Sequence, residues 1–76
     1  MNILFVDNSD PTVILLEAFG VPRIPETNEI VHLRGVGKEN KKYVVANVYT
    51  VVSHFPNATP APLQIYTFEV WLSELD

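Results

Sequence analysis

The sequence predicts an all-β fold: a small five-stranded barrel that forms one domain over residues 1–76. A chain of 76 residues that is 47% hydrophobic and 18% charged is typical of one folded domain. Its segments between turns are rich in β-branched and aromatic residues, and residues 63–73 alternate with a period of two. Five short strands cannot fill two separate sheets, whereas a bent barrel protects its strand edges.

Turn-forming clusters divide the chain into five segments. Asn, Asp, Ser, Gly and Pro mark the breaks, because these residues favour turns or remove backbone donors. The breaks fall at 8–11, 20–25, 35–40 and 55–62. The strands are therefore predicted at 2–6, 12–19, 29–33, 41–54 and 63–73.

The second segment is the one whose type is ambiguous. An Asp N-cap, a Pro at the first helical position and a Gly beyond the end would suit a short helix over 11–19. The segment opens with Thr12-Val13-Ile14, however, and three β-branched residues lose rotamer freedom in a helix. The prediction is a strand, and the short helix is the alternative.

The fourth segment is apolar on both faces. One phase of the alternation holds Val44, Val48 and Val52, and the other holds Tyr49 and Val51. Such a strand either bends through a bulge near residues 46–47, which changes the buried face, or is covered on both sides. A barrel would favour the bulge, and an oligomer would favour a strand that is covered on both sides.

The last segment presents Trp71 to the outside. Its alternation places Val70 and Leu72 on the core face, together with the aromatic residues of the same phase, Tyr66 and Phe68. Trp and Tyr are enriched at interface hot spots. We therefore predict an interface at Tyr49, Ile65 and Trp71. The alternative is that the proline-rich segment 55–62 covers Trp71 within one chain.

Part of the sequence resembles a known kind of small protein. The residues concerned are Val21-Pro22-Arg23-Ile24-Pro25-Glu26, Glu29-Ile30-Val31-His32-Leu33, Tyr43-Val44-Val45 and Val48. Over about 35 residues they resemble short SH3-like barrel proteins of bacteria and phages. Glu26 or Thr27 stands where that pattern has glycine, and the loop after Leu33 is longer. The resemblance implies an SH3-like barrel and no particular activity.

The charge distribution is uneven. The formal net charge is −4, which argues against a general nucleic-acid binder, yet all five cationic residues lie within residues 23–42. Glycine amides beside Lys and Arg can hold a phosphate without a helix. We therefore predict an anionic-ligand or nucleotide site at Arg34, Lys38, Lys41, Lys42 and Tyr43. A solvated hairpin loop is the interpretation that the residues favour over this site.

No motif for catalysis or metal binding is present. The chain has no cysteine and two histidines, too few for a metal site without converging carboxylates, and its serines lack a nucleophile elbow. We expect no enzyme activity and no cofactor. The first apolar run is cut by Asp7, and no stretch approaches a membrane span, so a cytoplasmic chain is expected.

These observations predict a non-enzymatic protein-interaction module. It would assemble with itself as a homo-oligomer or dock on a larger protein partner, as an inhibitor or adaptor does. A core this small is marginally stable alone, and contact with another chain would stabilise the fold. The alternative is an oligomeric binder of a small anionic ligand through residues 34–42. A single-strand-binding barrel using Tyr43 and Tyr49 ranks third, because the net charge opposes it.

Overall fold

The fold is all-β, as predicted. The computed structural model describes residues 1–35 and 40–75. Five strands form one curled, half-barrel sheet in the order β2-β1-β5-β4-β3. Their bounds are β1 Ile3–Asp7, β2 Ile14–Ala18, β3 Ile30–Leu33, β4 Lys41–Phe55 and β5 Leu63–Glu74.

The ambiguous second segment is a strand. β2 pairs antiparallel with β1, and the described residues contain no helix, so the helical alternative over 11–19 is wrong. The β-branched start of the segment outweighs its helix-like flanks. Asp7 and Asp10 instead close the turn before β2, where their carboxylates accept hydrogen bonds from Ser9 and Thr12.

The core lies on the concave face of the sheet. Apolar side chains from four strands meet there, and the buried cluster consists of Ile3, Phe5, Leu33, Val45, Val70 and Leu72. Val70 and Leu72 belong to the phase of β5 predicted to face inward, while His32 is exposed on β3, as expected from its place between Val31 and Leu33.

A bulge in β4 changes which of its residues face the core. The register passes from Val45↔Leu72 to Asn47↔Trp71, so Ala46 has no partner on β5. Val45 and Val48 therefore point to the same face although three positions separate them. This confirms the bulge predicted near residues 46–47 and explains why the strand is apolar in both phases.

Candidate functional site

The β4–β5 hairpin extends beyond the rest of the sheet. β1 pairs with β5 from Phe68 to Leu72, and β3 pairs with β4 from Lys41 to Val44. Within the described chain, residues 51–55 and 63–67 pair with each other and have no third strand beside them. We call these two segments the hairpin extension. The molecule is elongated, 48 Å against 25 and 23 Å, and the 15-residue β4 is its longest strand.

One face of the hairpin points away from the core. Directly opposite residues of an antiparallel pair share a face, so the register defines it row by row. We call this set the outer face. From the root of the hairpin to its tip, its rows are Asn47/Trp71, Tyr49/Glu69, Val51/Thr67, Ser53/Ile65 and Phe55/Leu63.

The opposite, inner face continues the core toward the hairpin tip. Val48 and Phe68 pack against the buried cluster. Beyond them, Val52 and Tyr66 are directly paired and lie in solvent, 51% and 59% exposed. The hairpin extension therefore carries apolar side chains on both faces.

An aromatic pair stands at the root of the outer face. The ring centroids of Tyr49 and Trp71 lie 4.9 Å apart with a 58° angle between their planes. The Trp71 indole N–H donates to Glu69 Oε1 at 3.2 Å, which fixes the ring between its neighbours. Tyr49 keeps 43% of its surface exposed, so the pair offers an apolar contact with a fixed orientation.

A cavity of about 570 Å³ lies at the tip of the hairpin. Two of the outer-face rows supply its apolar wall through Phe55, Leu63 and Ile65. The rest of the lining comes from His54, the last inner-face residue of β4, and from the turn residues Pro56, Asn57 and Ala58. Ile65 and Leu63 are 44% and 49% exposed. The outer face thus has an aromatic pair at one end and an apolar concavity at the other.

The hairpin extension has no formally charged residue. No Asp, Glu, Lys or Arg occurs in the sequence between Lys42 and Glu69. Glu69 is therefore the one formally charged residue of the outer face, and its carboxylate accepts a hydrogen bond from the Trp71 indole. An uncharged, two-sided apolar ribbon resembles the core of a protein interface, which is depleted in charge and enriched in aromatic residues.

The predicted interface residues Tyr49, Ile65 and Trp71 all lie on this outer face. Trp71 is half-buried against Tyr49, while the proline-rich segment 55–62 lies at the far end of the hairpin and not beside it. Sequence reasoning missed Phe55 and Leu63 as members of the same surface. Their alternation with the predicted residues would identify them once the hairpin register is known.

Of the predicted anionic-ligand residues that the structure describes, it brings Lys41 and Tyr43 together and places Lys42 on the other side of the strand. Lys41 and Tyr43 lie on the core side of β4, and Lys42 lies on the opposite side, beside His32. Lys41 forms an ion pair with Glu74 at 3.2 Å. Arg34 is exposed just beyond the end of β3, and Lys38 lies outside the described residues.

The cavity nearest these residues is acidic. It measures about 310 Å³, and its lining includes both Lys41 and Tyr43 among Asp7, Asn8, Ser9, Leu15, Ser73 and Glu74. Hydrogen bonds from the Ser9 hydroxyl and amide lower the pKa of Asp7, which keeps its carboxylate ionised. Two carboxylates against one ammonium group give the cavity a negative charge, which opposes an anion.

The described residues lack both a metal-binding cluster and a membrane-spanning helix. Residues 1–35 and 40–75 hold no cluster of three His, Cys, Asp or Glu side chains that could bind a metal ion. Over the same residues, the structure has no helix with the length and apolar character needed to cross a membrane.

Comparisons with protein-family models, curated proteins and solved structures gave no match to this chain.

Proposed function

We propose that this chain is a non-enzymatic protein-interaction module and that the β4–β5 hairpin is its contact surface. One observation carries the proposal: the hairpin extension projects past its neighbouring strands with exposed apolar side chains on both faces.

The energetics of a two-stranded ribbon support this function. A hairpin without a third strand or a packed face is at best marginally stable in water. Burying apolar surface stabilises by roughly 25 cal/mol per Å², so a partner that covers the extension would strengthen both the complex and the hairpin. Aromatic residues such as Tyr49, Tyr66 and Trp71 are the types that dominate interface energetics.

Site-specific photocrosslinking in cells that express the chain tests the proposal. A benzophenone amino acid replaces Phe55 on the outer face, Tyr66 on the inner face, or Phe19 after β2 as the control. All three are exposed aromatic residues, so the probe changes side-chain size little at each position. We expect discrete protein adducts from at least one hairpin position and none from Phe19.

The same experiment can contradict the proposal. If neither hairpin position gives an adduct, or if Phe19 gives the same adducts with equal yield, the hairpin is not the contact surface. Circular dichroism of each purified variant confirms that the sheet is retained.

A further inference from the structure

We infer that the outer face of the hairpin binds a second copy of this chain. The two hairpins lie face to face and antiparallel, about a twofold axis through the Val51/Thr67 row. This inference names the partner of the surface proposed above and therefore rests on the proposed function.

One copy exposes more surface than a compact chain of the same mass. Its accessible surface is 5449 Å² for 8.6 kDa. A compact monomer of this mass exposes about 4,700 Å². The excess of roughly 750 Å² is close to the ~800 Å² that each partner buries in a standard interface. The radius of gyration is also large, 14.2 Å, where a compact chain of this length has about 11.4 Å.

The outer face is self-complementary. Its rows are symmetric in number about Val51/Thr67, with two rows on each side. Antiparallel docking about that row brings the Tyr49/Glu69 row of one copy onto the Ser53/Ile65 row of the other. It also brings each root row, which contains Trp71, onto the partner's tip row. A twofold interface requires this reciprocal matching.

The shapes at the two ends of the face fit this pairing. The aromatic pair stands at the root, and the apolar cavity of about 570 Å³ is at the tip. Tyr49 and Phe55 are six positions apart, about 20 Å along the strand. Each copy would thus place its aromatic pair over the partner's cavity, twice in one dimer. The small side chains of Val51 and Thr67 allow close approach at the axis.

Charge also permits two copies to meet. Glu69 lies one row from the axis, so the two Glu69 side chains of a dimer lie about 14 Å apart along the strands. At physiological ionic strength, solvent-exposed charges separated by more than about 8 Å are largely screened, and the Ser53/Ile65 row that would lie opposite each Glu69 carries no formal charge. No other formal charge is present on the face to repel its copy.

Cysteine crosslinking tests the arrangement, because the natural chain has no cysteine. Val51→Cys places a thiol on the proposed axis, where it meets its own copy. Val52→Cys is the matched control, since it is the neighbouring valine on the opposite face. Packed sheets are about 10 Å apart, too far for a direct disulfide, so a short bis-maleimide is the reagent.

We expect the crosslinker to convert Val51→Cys largely to covalent dimer and Val52→Cys to remain monomer. Thr67→Cys, on the other strand of the same row, should behave like Val51→Cys and protects the test against a folding defect in one variant. Thr67→Lys places two like charges at the axis and should weaken self-association at least ~10-fold relative to Thr50→Lys on the inner face.

The inference is overturned if Val52→Cys crosslinks as well as Val51→Cys, or if neither axis variant crosslinks. Crosslinking through Val52 alone would indicate a dimer through the inner face. A monomer whose Phe55 photoprobe captures a different protein would overturn self-association and leave the interaction function intact. No capture from either hairpin position would remove both.

Discussion

Val45, Val70 and Leu72 are fully buried. Val70 and Leu72 lie where β1 pairs with the other side of β5, and the backbone of Val45 is hydrogen-bonded to Asn28 and Glu29, just before β3. Toward the tip, the same apolar residue types are exposed, as Val52 shows. Burial in this molecule therefore depends on neighbours more than on residue type. Substitutions should have large effects at the closed end of the sheet and small ones elsewhere.

Leu72→Ala should lower the free energy of unfolding by about 2–5 kcal/mol, because it removes a fully buried side chain and leaves a cavity. The matched control is Leu75→Ala, since Leu75 is 42% exposed, and its effect should be within about 0.5 kcal/mol. Urea denaturation at one protein concentration measures both. Equal effects for the two leucines would contradict the assignment of the core.

The Arg23–Glu29 ion pair should make stability depend on acid pH. Arg23 Nη1 and Nη2 donate to the two Glu29 carboxylate oxygens at 2.8 and 3.0 Å. These bonds lower the pKa of Glu29. The stabilisation is therefore complete above the unfolded-state glutamate pKa, about 4.3, and is lost as the pH falls through the lower folded value.

Glu29→Gln tests this dependence. Its melting temperature should lie below that of the natural chain at pH 7, and the gap should close as the pH falls below about 4. Glu17→Gln, on the exposed edge strand β2, should leave the profile unchanged. A gap that stays constant from pH 7 to pH 3 would contradict the role given to the ion pair.

At the scale of elements, the β4 bulge determines which side chains each face of the hairpin presents. If Ala46 were paired in the ladder opposite Trp71, every residue beyond it would shift by one position and change face, because side chains alternate with a period of two. Val48 would then leave the core, and Tyr49 would enter it. The outer face therefore depends on Ala46 staying out of the pairing.

Deletion of Ala46 removes the extra residue and leaves Val45, Asn47 and Val48 in the register that they already have, so this variant should still unfold cooperatively. Deletion of Val48 should lower the denaturation midpoint sharply, because Asn47 or Tyr49 would then take its place in the core. Thermal and urea unfolding followed by near-ultraviolet circular dichroism of Trp71 distinguish the two variants. Loss of cooperative unfolding in the Ala46 deletion would contradict the assignment of Ala46 as the extra residue.

The strands and the bulge could be predicted because their signals are local. Alternation and β-branching mark residues 63–73, and two apolar phases in one strand indicate the bulge. The length of the hairpin extension could not, since it depends on where β1 and β3 stop pairing. Alternation within a strand also places Lys41 and Lys42 on opposite faces, so nearness in sequence alone does not bring these two cations together.

At the scale of the whole molecule, the shape follows from a long hairpin joined to a small core. The molecule measures 48 Å along its longest axis, and apolar side chains of the hairpin extension are exposed to solvent on both faces in one copy. We propose that a second copy covers the outer face.

The solution mass of the natural chain tests this account most directly. Sedimentation equilibrium over a wide range of protein concentration should give about 17 kDa, twice the 8.6 kDa of one chain, with dissociation only on dilution. A mass that stays at 8.6 kDa at every concentration would contradict self-association through the hairpin.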